Sequence, residues 1–517
     1  LHHLVSDAWT FGNVATELSE YIDAFTNNTE TVDAKPSYVD FIQSEKEYVN
    51  SEKFKKDAEF WQEYLLGVKE EVGIKEKSGS IDTNAKRYTT KMDTKLNEMV
   101  KAYCRENRVS PYTLFMNALA IYVHRVTEKV DFVIGTPVLN RSNFKEKMMM
   151  GMFVSTMPVR FKIDEEETFL EMCKKSASET MSLFRHQKYP YSMILKEYRE
   201  KNNVSSNLYS VMVSYQNARA EYSDGEKYTT DWRFSTQAQD ELAIHSMDMD
   251  ETGVLQVHFD YLTSLYSDVE VEYISKRIFE IIYDGISRDA KIKDIEIMPK
   301  EEKDIILNKF NDTCVDYPRN ASIIELFEKE VKKHREKVAV VFEKRRITYG
   351  KLDEEADKIA SFLKRKNVKP GDKIGIMQGK GIDIIISILA VLKVNAIYVP
   401  IDYNSTLMNK RHIIQNSELK FILSDVRRAK IDNIEIINFY DIPKNESGYI
   451  KRNSNPEDVV NIMYTSGTTG KPKGVAITNR NIIKLVKNSN YINFENDSIM
   501  MQTGSYTFDA STLEIWN

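Results

Sequence analysis

The chain has 517 residues, of which 42% are hydrophobic and 29% charged, and its net charge of −6 gives an isoelectric point near 5.9. This length predicts about two to four domains. The acidic balance argues against bulk nucleic-acid binding, and no apolar run is long enough to span a membrane. Cys104, Cys173 and Cys314 form no CxxC pair, so they predict neither a disulfide framework nor a zinc site. We therefore expect a cytoplasmic protein in a reducing compartment.

The first ten residues combine two histidines with an aspartate and a hydroxyl. His2 and His3 precede Asp7 and Thr10, and histidine is the usual general base near neutral pH. Neighbouring histidines point apart, which argues against a shared metal ion. From these residues alone, a catalytic pair and a structural or tag-derived pair both stay open.

Three further patterns follow in the same segment. An apolar strand over 132–134 leads into Gly135–Arg141, a glycine turn at Gly151 enters a second strand, and a helical stretch from about Thr168 ends at His186–Tyr191. In this order and at these spacings, the patterns resemble the condensation domain of nonribosomal peptide synthetases. The resemblance rests on HHxxxDG at 2–8 with Ala8 for glycine, YxD at 38–40, GxFVNT at 151–156 with Ser155 for asparagine, and HQDYPF at 186–191 with Lys188 and Tyr191 substituted.

This resemblance implies a chloramphenicol-acetyltransferase-like fold, with two α/β lobes and a tunnel between them. It also implies amide-bond formation between two carrier-bound thioesters. His3 is then the catalytic residue, which positions or deprotonates the acceptor amine or stabilises the tetrahedral intermediate. His2 takes a structural role, and we expect Asp7 to pair with Arg141 and hold the catalytic loop. Gly151 is expected to line the acceptor channel.

The resemblance to a condensation domain covers residues 1–298, and the family carries a further N-terminal part that we expect to be missing here. Residues 299–320 are rich in charge, Asn and Pro, which predicts an inter-domain linker. Residues 321–517 alternate strands with helices, which indicates a largely parallel, doubly wound α/β sheet. Helices are predicted at 323–333, 352–364 (capped by Thr348), 382–392, 411–416 and 479–487, and strands at 338–342, 373–377, 396–399, 421–423, 434–437 and 459–463.

The stretch Tyr464–Val475, with the sequence YTSGTTGKPKGV, follows the last predicted strand. Its glycines let backbone N–H groups face oxyanions, and its hydroxyls and lysines add donors and charge, which indicates a phosphate-binding loop. It is not a Walker A loop, because Thr465 stands where that motif has glycine and Pro472 follows Lys471. The stretch instead resembles the AMP-binding signature YTSGTTGxPKG of the adenylate-forming superfamily. Three more stretches resemble motifs of amino-acid adenylation domains: LTYxEL at 347–352, LKAGxAYVPID at 392–402 and FDxS at 508–511.

The resemblance to an adenylation domain implies that ATP and an amino acid give aminoacyl-AMP and pyrophosphate, followed by a thioester on carrier-bound phosphopantetheine. Asp509 would pair with the α-ammonium of the amino acid, and Ala510 and Leu513 would line its side-chain pocket. A helix N-cap is the alternative role for Asp509. The residues expected to bind the ATP phosphates are Thr465, Ser466, Gly467, Thr468, Thr469, Gly470 and Lys473.

The family's ligand for Mg²⁺ falls beyond Asn517, so no metal ligand is expected within the chain, and only the N-terminal part of an adenylation domain is expected. We also expect that the chain by itself cannot complete adenylation.

The two resemblances together predict part of a nonribosomal peptide synthetase that works with upstream and downstream carrier proteins, without nucleic acid or membrane. Four alternatives stay open: an acyltransferase fused to an acyl-CoA-type ligase, a non-catalytic scaffold that docks carriers, a truncated relic, and an epimerisation-type domain. Asp509 in FDxS favours an amino-acid substrate over an acyl-CoA-type ligase. The adenylation segment that follows favours condensation over epimerisation.

Overall fold

The structure is a computed structural model, and it forms two compact units, residues 1–310 and 311–517. Each unit mixes helices and strands, as expected for the α/β class. In the described part of the chain, no helix has the length and apolar character needed to cross a membrane. The described residues are 5–29, 35–69, 71–75, 82–216, 234–247, 253–426, 430–443, 454–465, 472–489, 491–492 and 498–517.

The first unit has six described strands and ten described α-helices. The strands are β1 (Ala85–Lys91), β2 (Asp131–Val138), β3 (Ser155–Lys162), β4 (Val211–Gln216), β5 (Leu242–Met247) and β6 (Gln256–Leu262). The helices are α1 (Ala8–Asn27), α2 (Tyr38–Val49), α3 (Glu52–Tyr64), α4 (Thr94–Asn107), α5 (Pro111–Thr127), α6 (Phe144–Met148), α7 (Phe169–Phe184), α8 (Tyr191–Asn202), α9 (Asp268–Arg288) and α10 (Lys300–Asp304).

The strands of the first unit form one mixed sheet in the order β1-β6-β5-β4-β2-β3. The β4–β5 and β2–β4 pairs are parallel, and the other neighbours are antiparallel. Helix α5 packs on this sheet and is buried from Thr113 to His124, as expected for a helix that is apolar around most of its circumference. It begins with Pro111 at its first position, and Ser110 caps it by accepting a hydrogen bond from Thr113 N.

A polar network crosses four neighbouring strands of this sheet. Arg87 on β1 donates to both oxygens of Asp260 on β6, at 2.6 and 2.8 Å. His245 on β5 places Nε2 at 3.2 Å from Asp260 and Nδ1 at 2.6 Å from Ser214 Oγ on β4. Because a carboxylate only accepts, Nε2 of His245 carries the hydrogen. Histidine and aspartate side chains in such a sheet are stable only when they are bonded in this way.

His258 lies next to this network on β6, with Nδ1 at 2.8 Å from Thr89 Oγ1. Burial, followed by the positive charge of Arg87, lowers the pKa of His258 from 6.5 to about 4, although Asp260 acts in the opposite direction. Its surroundings are therefore polar and charged, in contrast to the apolar setting that its sequence neighbours suggest.

The second unit has eight described strands and six described α-helices. The strands are β7 (Val338–Phe342), β8 (Arg345–Thr348), β9 (Lys373–Met377), β10 (Ile397–Pro400), β11 (Phe421–Ser424), β12 (Ile436–Asn438), β13 (Val459–Thr465) and β14 (Lys473–Thr478). The helices are α11 (Ile323–Lys333), α12 (Tyr349–Arg365), α13 (Ile382–Lys393), α14 (Leu407–Ser417), α15 (Asn479–Val486) and α16 (Ala510–Trp516).

The main sheet of the second unit has the order β12-β11-β9-β10-β13-β14. All neighbours are parallel except the β13–β14 hairpin, so the prediction of a largely parallel sheet is confirmed. Strands β7 and β8 form a separate two-stranded sheet. The predicted strand 338–342 is confirmed as β7 but lies outside the main sheet. It is exposed or half-buried along its length, whereas central strands of a parallel sheet are covered on both faces.

Several local predictions in the second unit are confirmed. Thr348 caps α12 by accepting a hydrogen bond from Lys351 N at 3.2 Å. Asn395 adopts φ 55° where the related motif has glycine, a conformation that asparagine tolerates better than most residues. Helix α14 extends at both ends beyond the predicted 411–416, because Thr406 provides an N-cap at one end and Glu418 closes the other.

The predicted linker 299–320 begins with α10 and a π-helical turn at Ile305–Lys309. Glu302 of α10 is buried and pairs with Arg277 of α9, with a 3.0 Å bond from Arg277 Nε. The three boundaries 1–298, 299–320 and 321–517 stay predictions.

We expect the first unit to lose stability as pH falls from about 6.5 to about 4. The unfolded chain binds a proton at His258 over this range and the folded chain does not, so stability is full above pH 6.5 and falls by roughly 2–3 kcal/mol. His258→Asn should remove most of this acid-dependent loss. Calorimetric unfolding of the first unit at several pH values measures the effect. The exposed His334 of the second unit offers a control. If the unfolding free energy of the first unit changed equally with pH in His258→Asn and His334→Asn, His258 would not be the source of the acid-dependent loss.

Candidate functional site

Asp7 begins helix α1 as its N-cap residue. Its carboxylate accepts a hydrogen bond from Thr10 N at 2.8 Å, which satisfies one of the free N–H groups at the helix start. Ala8, which replaces the glycine of the related motif, is the first helical residue. Alanine is fully compatible with a helical backbone, so this substitution introduces no strain.

Arg141 lies in the loop after β2 and contacts Asp7 through one nitrogen of its guanidinium group. Nη2 donates to Asp7 Oδ1 at 3.0 Å and to Oδ2 at 3.1 Å, and both side chains are 0% exposed. Nη1 donates to the carbonyls of Glu146 and Met149, at 2.7 Å each. The guanidinium carbon also lies 3.8 Å from the ring centre of Phe153. Arg141 therefore joins the start of α1 to the segment around α6.

Thr10 and the backbone of residues 151–153 complete this buried cluster. The Thr10 hydroxyl lies 2.9 Å from Asp7 Oδ1 and 2.7 Å from the Gly151 carbonyl. It accepts hydrogen bonds from Gly151 N at 3.0 Å and from Arg141 Nη2 at 3.1 Å. Phe153 N donates to Asp7 Oδ2 at 3.0 Å. Each oxygen of the Asp7 carboxylate is thus occupied by protein donors.

The pKa of the Asp7 carboxyl lies below its usual value. Burial acts to raise it, but hydrogen bonds from the backbone of Thr10 and Phe153, from the Thr10 hydroxyl, and the charge of Arg141 together outweigh burial. A carboxylate that is ionised, buried and fully bonded is not available to take up a substrate proton. The arrangement suits a residue that holds the backbone in place.

Gly151 lies against the ring of Tyr38. A Cβ atom at this position would come within 2.1 Å of that ring, which no side chain can tolerate. The hydroxyl of Tyr38 donates to the carbonyl of Met152 at 2.6 Å, and Tyr38 packs on Phe41 and Phe153 with ring centres 5.5 and 5.2 Å apart. This close approach requires glycine at 151; its expected place in an acceptor channel stays a prediction.

The stretch 186–191 contacts the same region through Lys188, which donates to Glu146 Oε1 at 3.3 Å. His186 instead places Nδ1 at 2.6 Å from the buried Asp57 and stacks on Phe60, with ring centres 3.8 Å apart. These contacts give His186 a structural role. His2 and His3 lie outside the described residues, and Asp7 is the motif residue nearest to them that the structure places.

The signature stretch begins at the end of β13 and ends at the start of β14. Thr465 and Lys473 are partners in the antiparallel hairpin, and both side chains are exposed. The expected phosphate ligands Ser466, Gly467, Thr468, Thr469 and Gly470 lie outside the described residues. The sequence predicts only a loop before α15, so strand β14 was not predicted.

The FDxS stretch leads into α16. Asp509 is exposed and its carboxylate accepts a hydrogen bond from Ala510 N at 2.8 Å, so the side chain takes part in starting the helix. Ala510 is exposed and Leu513 is half-buried. The two roles considered for Asp509 are compatible, because the carboxylate keeps further lone pairs free for an ammonium group.

The carboxyl ends of β9, β10 and β13 are neighbours in the sheet. Two of the adenylation motifs, the signature stretch and the FDxS stretch, lie there. Tyr506, just before FDxS, donates to the carbonyl of Ile401 beyond β10 at 2.8 Å and accepts from Gln378 N beyond β9 at 3.2 Å. Thr465 ends the adjacent β13. The side-chain amide of Gln378 is buried, and neither of its polar atoms bonds to any part of the chain that the structure describes. This edge is where ligands bind in open parallel sheets.

Sequence reasoning missed Thr10 as a cluster residue and assigned no role to Tyr38. The N-cap rule offered a signal for Thr10, because an N-cap aspartate bonds the N–H three residues later. Tyr38 gave only a weak signal, since its contact with Gly151 joins residues more than 100 positions apart. Across the described ranges, no group of three or more His, Cys, Asp or Glu side chains is arranged to hold a metal ion.

Comparison with protein families gives two matches. The condensation domain model matches residues 1–307, and the AMP-binding enzyme model matches residues 327–517. Surfactin synthase subunit 1 of Bacillus subtilis (strain 168) is 30% identical over 526 residues, which cover 100% of this chain and 15% of that protein. Gramicidin S synthase 2 of Brevibacillus brevis is 26% identical over 530 residues, covering 100% of this chain and 12% of that protein. The chain thus spans only a small part of these relatives' length.

Two solved structures share the fold. A four-domain nonribosomal peptide synthetase bound to AMP and glycine matches with a TM-score of 0.77 at 17% identity, over 100% of this chain and 40% of that one. An α-methyl-L-serine-AMP-bound form of the synthetase FmoA3 matches with a TM-score of 0.68 at 18% identity, over 99% of this chain and 57% of that one. The chain belongs to the condensation-domain family, and the AMP-binding match after it gives the domain order of nonribosomal peptide synthetases.

Removal of Arg141 should strongly destabilise the first unit. Arg141→Ala leaves the buried carboxylate of Asp7 without its counter-ion and removes one donor from each of the carbonyls of Glu146 and Met149, which is expected to cost about 3–5 kcal/mol. Hydrogen exchange of the β4 amides, which reports global unfolding of this unit, measures the loss. Lys86→Ala is the matched control, because Lys86 pairs with Asp268 at 3.0 Å in solvent and should cost less than about 1 kcal/mol. Similar losses in both variants would contradict the role of burial.

Proposed function

We propose that the chain contributes to two reactions of a nonribosomal peptide synthetase. The first unit forms a peptide bond between a carrier-bound acyl or peptidyl thioester and a carrier-bound aminoacyl thioester. The second unit takes part in activation of an amino acid by ATP. The observation that carries the proposal is that one chain combines two features. The Asp7–Arg141 cluster lies close in sequence to the His2-His3 pair, and two adenylation motifs lie at one edge of a parallel sheet.

In the condensation reaction, His3 is the residue that acts on the acceptor amine. Asp7 and Arg141 hold the backbone from which the His2-His3 pair extends, and His2 supports that segment. Three properties of Asp7 support this division of roles: it is buried, it is fully bonded and its pKa is lowered. Because Asp7 is held in this way, we assign proton transfer, or a hydrogen bond to the developing oxyanion, to His3.

In the activation reaction, the signature stretch binds the ATP phosphates. Thr465, Lys473 and the intervening residues 466–470 supply hydroxyl, backbone and ammonium donors. Lys473 is exposed at the start of β14, where its charge is available to a phosphate. Mg²⁺ is expected to accompany the nucleotide and to neutralise part of its charge.

The amino acid binds at the FDxS stretch in this proposal. Asp509 pairs with the α-ammonium group, and Ala510 and Leu513 line the side-chain pocket. The small and apolar character of these two residues favours an apolar or aromatic side chain. The partners are carrier proteins, whose phosphopantetheine arms deliver donor and acceptor to the first unit and receive the product of the second.

ATP binding tests the phosphate site directly. Lys473→Ala should weaken binding of a non-hydrolysable ATP analogue to the 517-residue chain by about ten- to one-hundred-fold, because a bond between two charged groups is lost. Titration calorimetry measures the affinity. Lys484→Ala changes an exposed lysine of α15 and should leave the affinity unchanged.

Amino-acid-dependent ATP–pyrophosphate exchange by the full translation product of the gene then tests the substrate class. Exchange that responds to fatty acids and not to amino acids would instead assign an acyl-CoA-type ligase.

His3→Ala should lower the rate of peptide-bond formation by about 10²–10⁴-fold, the usual contribution of a positioned acid–base group. The measurement uses the full translation product, preloaded donor and acceptor carriers, and mass-spectrometric detection of the product. His334→Ala removes an exposed histidine of the second unit and should have no effect. An unchanged rate for His3→Ala would favour the scaffold alternative, in which this unit only docks carriers.

A further inference from the structure

Strands β13 and β14 form an antiparallel pair, which we call the signature hairpin. Helix α14 makes hydrogen bonds near the end of β13 and just before the start of β14. Tyr464, on β13, donates its hydroxyl hydrogen to Asn416 Oδ1 at 2.7 Å. His412 places Nε2 at 2.8 Å from the carbonyl of Pro472, which immediately precedes β14. The rings of His412 and Tyr464 also meet edge to face, with centres 6.2 Å apart. One helix thus contacts the chain where it leaves β13 and where it enters β14.

The hydrogen bond from His412 has a defined direction. A carbonyl only accepts, so Nε2 of His412 carries the hydrogen. The carbonyl of Pro472 lies in the peptide plane shared with Lys473, and the N–H of Lys473 lies in the same plane and points in the opposite direction. By fixing the carbonyl, His412 therefore fixes the orientation of the backbone at Lys473. Lys473 is in turn the register partner of Thr465.

Helix α14 is also anchored by elements other than β13 and β14. Ile413 is buried in an apolar cluster with Ile401 and Ile422, and Arg411 pairs with Asp432 at 2.7 Å. A helix held by its own core contacts gives a rigid support from which a side chain can fix a strand end.

We propose that His412, assisted by Asn416, is a positioning residue that sets the signature hairpin for binding the β- and γ-phosphates of ATP. This inference rests on the proposed function of the signature stretch and adds a supporting helix to it. His412 touches backbone and not nucleotide, so its effect is on the placement of Lys473 and Thr465. Ligands that lack the outer phosphates do not depend on this placement.

The difference between ATP and AMP provides the test. His412→Leu removes the donor while keeping an apolar side chain of similar reach, and it should weaken binding of the non-hydrolysable ATP analogue by about three- to tenfold. AMP affinity should change less than about twofold. His412→Gln, whose amide nitrogen can replace Nε2 as a donor, should restore ATP affinity to within about twofold of wild type. Titration calorimetry on the 517-residue chain gives both affinities.

Arg411→Leu is the matched control on the same helix. It breaks the exposed pair with Asp432 without touching the hairpin, and both affinities should stay at their wild-type values. Equal weakening of ATP and AMP binding by His412→Leu, or failure of His412→Gln to restore ATP binding, would overturn the positioning role.

Hydrogen exchange separates this inference from the proposed function. In His412→Leu, the amides of residues 473–478 should exchange about three- to tenfold faster without any nucleotide present, because the strand end has lost its support. Unchanged exchange in that variant would overturn the inference, whatever the chain binds. A wild-type chain that binds neither nucleotide would contradict the proposed function and the phosphate-directed part of this inference with it.

Discussion

The buried ion pair between Asp7 and Arg141 constrains the first unit more than any other described contact. Two opposite charges without solvent exposure are tolerated only when they are paired and further hydrogen-bonded. Here the carboxylate accepts from the backbone of Thr10 and Phe153, and the guanidinium donates to the carbonyls of Glu146 and Met149. These bonds couple the start of α1 to segments more than 130 residues away. The segment next to the histidine pair is therefore set by tertiary structure and not by local preference.

The same contacts explain the substitutions tolerated in the HHxxxDG motif. The aspartate performs two tasks at once, capping a helix and balancing a charge; Ser, Thr and Asn can cap a helix but carry no charge. The final glycine of the motif has no such duty here, because its position is the first turn of α1. Ala8 meets that requirement equally well. The motif therefore departs from the family pattern at Ala8, a position where this structure does not require glycine.

In the second unit, strand order determines where chemistry is possible. Parallel strands present their carboxyl ends at one edge, and β9, β10 and β13 are adjacent there. The antiparallel β14 pairs with β13 at that edge, and Thr465 of the signature stretch is the register partner of Lys473. Tyr506 then fixes the FDxS stretch to the neighbouring strands through Ile401 and Gln378. Two motifs separated by about 40 residues of sequence come to the same edge for this reason.

Much of the second unit could be predicted from the sequence, because its strands and helices carry strong local signals. The strand at Lys373–Met377 and the cap at Thr348 follow from apolar runs and capping chemistry that any window of the sequence contains. The sequence did not indicate that β7 lies outside the main sheet, because periodicity reports the burial of a strand and not its pairing partner. Strand β14 was missed because the signature stretch was assigned to a loop as far as Val475, although Val475, Ile477 and Thr478 are residue types enriched in strands.

The contacts by which side chains fix the backbone were the hardest to predict in both units, even for Arg141, whose pairing with Asp7 was expected. Residues that meet a substrate are concentrated in short motifs, since a ligand contacts a loop over a few neighbouring positions. Residues that fix such a loop act on its carbonyls and N–H groups from another element, as Arg141 does at Glu146 and Met149, and as His412 does at Pro472. Nearly every residue carries the same backbone N–H and C=O groups, so the sequence does not indicate which side chains bond to them. A donor-only guanidinium or an imidazole N–H suits this task, because a carbonyl at the end of a strand has lost its partner in the sheet and needs one elsewhere.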